Sequence, residues 1–150
     1  MNFQTLNKQR KFVLIAAAVG LISCFLPWYS ISVFGYSSSV SGMHSWGILA
    51  FLAFIGAGIV AFLGDQTKPM NQSFWLISLA CGALAVLGVL IFFIQISGGT
   101  GYGGGYGFGI FIGAAAAITV LASAYMYRSP SDSIKGGFDS LKHDIEKKAE

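Results

Sequence analysis

The distribution of charge along this chain constrains its fold more than any other sequence feature. The chain has four long apolar stretches, at residues 12–29, 46–64, 74–96 and 108–127. All nine Lys and Arg residues precede the first stretch, lie between the second and third, or follow the fourth. The two other connections, 30–45 and 97–107, contain no Lys, Arg, Asp or Glu. Because short basic loops stay in the cytoplasm, this pattern predicts four membrane crossings with both termini cytoplasmic.

The composition agrees with a chain that lies mostly in a membrane. Only 10% of the residues are charged, against about 25% in soluble domains. Each stretch is about 18–23 residues long, and roughly 20 helical residues cross a 30 Å hydrocarbon core. We therefore expect an all-α integral membrane protein of the cell (inner) membrane. Its parts are a basic N-terminus (1–11), a four-helix bundle (12–128) and a cytoplasmic tail (129–150).

The net charge of +3 is explained by the basic cytoplasmic loops and does not indicate nucleic-acid binding. We expect the basic flanks to contact anionic lipid headgroups instead. Aromatic residues near the ends of the stretches predict two membrane interfaces. The predicted interface residues are Trp28, Tyr29 and Trp46 on the outer side, and Trp75, Tyr125 and Tyr127 on the inner side.

Small residues recur at four-residue intervals and predict close helix packing. In lipid, such rows let two backbones approach each other. One row is Ala53, Ala57 and Ala61, and the other is Gly105, Gly109, Gly113 and Ala117. Residues 98–109 contain eight glycines in twelve, so we expect a flexible loop to about Gly105 and a packing ridge from Gly109 onward. The rows predict a compact bundle or an oligomer without distinguishing the two.

The first outer connection, 30–45, is rich in serine. Ile31 and Val33 alternate with serines, and Gly35 suits a turn, so the segment is compatible with a small hairpin over the bundle.

The first apolar stretch has a second interpretation. Basic residues, an apolar run and Leu21-Ile22-Ser23-Cys24 together resemble a bacterial lipoprotein signal with cleavage before Cys24. The apolar run continues through Phe25 and Leu26 to Trp28, which favours an uncleaved membrane helix.

The tail contains an amphipathic stripe. Ile134, Phe138, Leu141 and Ile145 fall on one face of a helix. We expect Gly136-Gly137 to interrupt its first turn, which leaves a solid helix at about 138–149. The helix either rests its stripe on the inner leaflet or the bundle, or docks a cytoplasmic partner.

The residues that membrane catalysis or proton transport requires are missing from the four stretches. They contain no Asp, Glu, Lys, Arg or His, whereas ionisable residues mark proton relays and ion pathways. His44 and His143 fall on opposite sides of the predicted membrane and cannot share a metal. We therefore predict no enzymatic activity, no cofactor and no metal.

Phe25-Leu26-Pro27-Trp28-Tyr29-Ser30, a Ser/Gly-rich outer loop and Trp46-Gly47 resemble small four-span bacterial membrane proteins. The resemblance implies topology and no activity. The four-span shape is also similar to that of claudin-like proteins, but the paired cysteines and Trp–Gly-Leu-Trp pattern of their first outer loop are missing.

The expected function is that of a structural, accessory or self-assembling subunit of a membrane complex. Its partners are membrane lipids and either itself or another membrane protein. The alternatives are a holin-like oligomeric pore-former and a lipid-binding membrane protein.

Overall fold

The computed structural model describes residues 4–98, 104–128 and 133–149, which form five helices and three short strands. In chain order the elements are α1 (Lys8–Phe25), β1 (Pro27–Val33), β2 (Tyr36–Ser41), α2 (Gly47–Phe62), α3 (Gln72–Ser97), β3 (Gly104–Tyr106), α4 (Phe108–Met126) and α5 (Ile134–Ala149). The protein is mostly helical, but the expectation of an all-α chain was wrong because the three strands form a sheet.

The first helix is bounded by local sequence at both ends. The Asn7 side chain accepts a hydrogen bond from the Gln9 amide at 3.0 Å, which satisfies one of the unpaired donors of the first turn. At the other end, Leu26 is extended (φ −78°, ψ 157°), as steric contact with a following proline favours. The first apolar stretch, 12–29, therefore does not form one helix, because residues 27–29 belong to β1.

The other three long helices agree with the apolar stretches to within two residues at each end. Among the described residues, α3 and α4 are the helices that are long and apolar enough to cross a membrane. The second helix is equally apolar, but its 16 residues extend only about 24 Å. In α1 the uncharged part, residues 12–25, extends roughly 21 Å.

The four long helices pack in a closed order, since α1 and α3 each contact both α2 and α4. Close approach depends on small residues at the crossings. A Cβ atom at Gly20 of α1 would collide with the ring of Phe54 on α2, and one at Gly88 of α3 would lie 2.9 Å from the backbone nitrogen of Ala50. The buried core between the helices includes Val13, Phe54 and Val120.

The sheet covers the end of the helices at which α1 ends and α2 and α4 begin. Its strand order is β2-β1-β3, and both pairings are antiparallel. The β1–β2 hairpin turns at Phe34 and Gly35, whose φ angles are +50° and +84°, as a tight two-residue turn requires. This confirms the hairpin in the first outer connection. On the other edge, β3 pairs Tyr106 with Tyr29 of β1.

The last helix, α5, packs against the opposite end of α3. It begins at Ile134 and continues through Gly136 and Gly137, so the expected interruption at the glycine pair was wrong. A Cβ atom at Gly137 would lie 3.1 Å from Cβ of Leu76. Gly137 is therefore one of the places where α5 lies close against α3.

Candidate interaction surfaces

The fold gathers the charged residues of the described chain at one end, which we call the charged end: Lys8, Arg10, Lys11, Asp65, Lys68, Arg128 and the charged residues of α5. The Asn7 amide donates to the Gln66 carbonyl at 3.0 Å, which joins the N-terminal segment to the α2–α3 loop. The rings of Phe12 and Tyr127 stack with centroids 5.6 Å apart, which joins the first turns of α1 to the end of α4. The opposite end, covered by the sheet, carries no charged side chain among the described residues.

Arg10 is the most buried charged residue of this end, with 1% of its surface exposed. Its Nη1 donates to the carbonyl oxygens of Ala61 (3.1 Å) and Leu63 (2.5 Å), and its Nε donates to that of Lys68 (3.1 Å). These carbonyls lie at the C-terminal end of α2 and in the loop that follows. Helix C-termini carry unpaired carbonyls and partial negative charge, so the guanidinium caps α2 from α1.

Burial lowers the pKa of the Arg10 guanidinium, and the nearby Asp65 carboxylate raises it. The group remains protonated because arginine does not deprotonate in proteins. A buried charge of this kind is tolerated because several acceptors replace its water.

A second set of hydrogen bonds at the charged end joins three helices at one carbonyl. Trp75 Nε1 and Gln9 Nε2 both donate to the Ala124 carbonyl, at 2.7 Å and 3.4 Å. The Gln9 side-chain oxygen accepts from the Met70 amide at 3.4 Å. Gln9 therefore ties α1 to α4 and to the segment that leads into α3.

Gln9 and Arg10 were missed by the sequence analysis, which assigned the region only to a basic flank. The spacing of the residues along α1 does indicate that Arg10 is buried. Arg10, Val13, Ala17, Gly20 and Cys24 follow a helical period along one face, and all are buried. A charged residue on the small-residue face of a helix points into the protein.

Trp28 occupies the centre of the sheet end and is fully buried. Its Nε1 donates to the Ser23 carbonyl at 2.7 Å, and its ring meets Phe92 edge-on with centroids 5.1 Å apart. Gly109 and Gly113 lie against the indole, where added Cβ atoms would come within 2.9 Å and 3.0 Å of ring carbons. The ring therefore fills the space between the sheet and the helices.

The predicted interface residues divide into three groups by exposure. The rings of Trp28 and Trp75 are buried, with 0% and 1% exposed, and their indole nitrogens bond to backbone carbonyls inside the protein. These interior hydrogen bonds satisfy their polar atoms. The location of the two residues at a membrane interface stays a prediction. Trp46, Tyr125 and Tyr127 are exposed, and Tyr29 is half-buried in the sheet.

Apart from Gly105, the members of the predicted packing rows lie inside the protein. Gly109, Gly113 and Ala117 face α1 and Trp28, and Ala53, Ala57 and Ala61 form the buried face of α2. Gly105 belongs to β3, and the space around it is open. Most of the expected flexible loop, residues 99–103, lies outside the described part of the chain. The buried members of these rows therefore pack helices against each other within one chain.

The tail stripe is only partly covered by the protein. Leu141 packs against the core, whereas Phe138 and Ile145 are 63% and 66% exposed. Ser73 of α3 fixes the position of α5, because its hydroxyl lies 3.1 Å from Ser140 Oγ and donates to Asp144 Oδ2 at 3.2 Å.

The described residues contain no group of three or more His, Cys, Asp or Glu side chains that could hold a metal ion. Cys24 and Cys81 are free thiols. His44 lies in the turn between β2 and α2, whereas His143 is exposed on α5 at the charged end.

No protein-family model matches this chain, and no curated protein or solved structure was found to be similar to it.

Proposed function

We propose that this chain is a four-span integral membrane protein, with its charged end in the cytoplasm, that acts as a non-enzymatic structural or accessory subunit of a membrane complex. The proposal rests mainly on one observation, which is the apolar character of the exposed sides of α1–α4. We call these sides the lateral surface.

The lateral surface carries large apolar residues, whereas many of the buried residues between the helices are small. Soluble helical proteins place polar residues on the outside of each helix, and helices that are apolar all round lie in a protein core or a membrane. The exposed large residues of the lateral surface include Ile15, Ile22, Leu52, Ile59, Leu84, Leu87, Leu90, Ile94, Phe111 and Ile118. An exposed apolar surface of this extent requires lipid or protein to cover it.

The two ends of the protein support an orientation in the membrane in which the charged end lies in the cytoplasm. The three-stranded sheet has open edges, which do not occur in the hydrocarbon region, so it belongs at the outer interface. The basic residues of the charged end belong in the cytoplasm. Because α1 and α2 are short, the bilayer adjusts by thinning, and exposed Lys8 extends to the headgroups.

An accessory role is favoured over a pore because three hydroxyl groups of the helices donate to the backbone of their own helix. Ser23 donates to the Gly20 carbonyl at 2.6 Å, Ser123 to that of Val120 at 3.1 Å, and Thr119 to that of Ala115 at 2.7 Å. These hydroxyls do not line a channel within the subunit. An oligomeric pore would need a polar lateral surface, and this one is apolar.

The accessory role is tested by cross-linking in native membranes, followed by purification in mild detergent. We expect the protein to remain in the membrane pellet after an alkaline carbonate wash, and to be recovered with a membrane protein at fixed stoichiometry. Recovery as an uncross-linked monomer in every detergent would count against a subunit role. Robust leakage of liposomes that contain only the purified protein would favour the pore.

A further inference from the structure

The cytoplasmic helix α5 leaves two grooves on α3, one on each side of Leu141. The first has a volume of about 390 Å³ and is lined throughout by apolar side chains, including Leu76, Leu79 and Phe138. The second has a volume of about 460 Å³ and is lined by both apolar and charged side chains. Ile77 and Leu141 line both grooves. We call the second one the amphipathic groove.

The amphipathic groove has an apolar floor and a polar rim. Phe74, Ile77 and Ile145 form the floor, and Lys147 and Lys148 lie at the rim in the last turn of α5. The one carboxylate in the lining, Asp144, accepts a hydrogen bond from Ser73. The lining therefore carries the two ammonium groups of Lys147 and Lys148 and one carboxylate, so the net charge of the rim is positive.

We propose that the amphipathic groove binds one anionic phospholipid of the inner leaflet. The phosphate lies at Lys147 and Lys148, and the acyl chains lie over Ile145 and Ile77 toward the lateral surface of α3. Basic pockets between helices on the cytoplasmic side suit anionic lipid headgroups, and the volume is within the roughly 300–1,000 Å³ typical of ligand sites. This inference depends on the proposed membrane position of the charged end.

A lipid fits this groove better than a cytoplasmic protein does. Ile77 connects the charged rim to the first groove, which continues along α3 to Ala83, on the part of the helix that we place in the bilayer. A soluble partner would reach only the rim, whereas a phospholipid contacts both regions. The exposed apolar side chains of Phe138 and Ile145 extend the same surface on α5.

The test is native mass spectrometry of the full chain in mild detergent, with added phosphatidylglycerol or phosphatidylcholine carrying identical acyl chains. The charge variant is Lys147→Gln/Lys148→Gln. Its control is Lys135→Gln/Lys142→Gln, which removes the same charge from residues of α5 outside the groove lining. The floor variant is Ile145→Ser, and its control is Met126→Ser, which alters an exposed apolar residue at the end of α4 that lines neither groove.

We expect the wild type and the charge control to retain phosphatidylglycerol roughly tenfold better than phosphatidylcholine. We expect the charge variant to lose this preference, and Ile145→Ser to weaken retention of both lipids more than Met126→Ser does. Equal losses in the charge variant and its control would overturn the proposal in favour of diffuse attraction. A dimer that forms as lipid is lost would overturn it in favour of a second copy in the groove.

The lipid site and the membrane proposal fail in different ways. A wild type that stays in the pellet after the carbonate wash but shows no lipid preference would remove the lipid site alone. Release of the wild type from the pellet would contradict the membrane proposal itself.

Discussion

The guanidinium of Arg10, near the start of α1, donates a hydrogen bond to the backbone carbonyl of Ala61, near the end of α2, at 3.1 Å. The bond joins two segments that are 51 residues apart in the chain. It satisfies an acceptor that the helix itself leaves unpaired, and it places a cation at the negative end of α2. The charged end is thus held together from within by a residue of the basic flank.

Arg10→Met should destabilise the protein by at least about 2 kcal/mol, because buried carbonyls lose a charged donor. Arg10→Lys should lose less, since it keeps the charge but not the forked geometry. Lys8→Gln, at an exposed position of the same flank, is the control and should have almost no effect. Unfolding in mixed micelles measures all three, and equal stability of Arg10→Met and Lys8→Gln would refute the capping role.

Trp28→Ala should destabilise the protein by about 3–5 kcal/mol, because it leaves a large cavity between the sheet and the helices. The matched control is Trp46→Ala, whose side chain is 49% exposed. The same unfolding assay compares the two variants. If Trp28 instead faced the headgroup layer, the two substitutions would have similarly small effects.

Gly109→Ala and Gly105→Ala add the same methyl group at positions four residues apart, but only Gly109→Ala should destabilise the protein. At Gly109 the new methyl group would lie 2.8 Å from Leu26 Cβ and 2.9 Å from the Pro27 carbonyl. Overpacking should destabilise the protein by about 1–3 kcal/mol. The higher helix propensity of alanine offsets roughly 1 kcal/mol of this at most, so the net effect should be a loss of stability. At Gly105 the space is open, so stability should be unchanged. Loss of an oligomer without loss of stability in Gly109→Ala would place this row at an interface between subunits.

The α2–α3 loop should show a defined pH dependence. The Thr67 hydroxyl and amide donate to Asp65 Oδ1 at 2.7 Å and 3.1 Å, and these bonds hold the pKa of Asp65 below its ordinary value. Since the pKa is lower in the folded state, the stabilisation is present above about pH 4, the unfolded pKa, and is lost as the pH falls through the folded pKa.

Thr67→Val should raise the pKa of Asp65 toward its ordinary value, whereas Thr67→Ser keeps the hydroxyl and should not. The carboxyl carbon resonance of Asp65, followed by NMR during acid titration, measures both. A Thr67→Val protein with the wild-type titration would mean that the donors left in place, the Thr67 amide and Lys68, whose Nζ lies 3.7 Å from Asp65 Oδ2, control the shift.

The sequence predicts the long helices well because their signals are local. The apolar stretches locate α2, α3 and α4 to within two residues at each end, and the Ile31/Val33 alternation with Gly35 locates the hairpin. The sequence does not reveal the third strand, because a Gly-Gly-Tyr segment lacks the alternation of apolar and polar residues that marks a strand. The segment forms β3 by pairing with β1, where Tyr106 lies opposite Tyr29. Tertiary contacts decide such segments.

The candidate surfaces were harder to predict because they depend on which face of a helix is covered. Trp28 and Tyr29 are adjacent aromatic residues of β1, yet Trp28 is fully buried and Tyr29 is only half-buried. Lys8 and Arg10 are both basic residues of the same flank, yet only Arg10 lies on the packed face of α1. The grooves beside α5 are lined by residues of α3 and α5 that are distant in sequence, such as Ile77 and Leu141.

The most direct test of the four-span account is cysteine labelling of intact cells with a membrane-impermeant maleimide. In a Cys24→Ala/Cys81→Ala background, one protein carries Ser38→Cys in the exposed part of β2, and another carries Lys142→Cys on α5. The account predicts that the β2 cysteine is labelled in intact cells, whereas the α5 cysteine is labelled only in inverted membrane vesicles. Labelling of both positions from the same side of the membrane would contradict it.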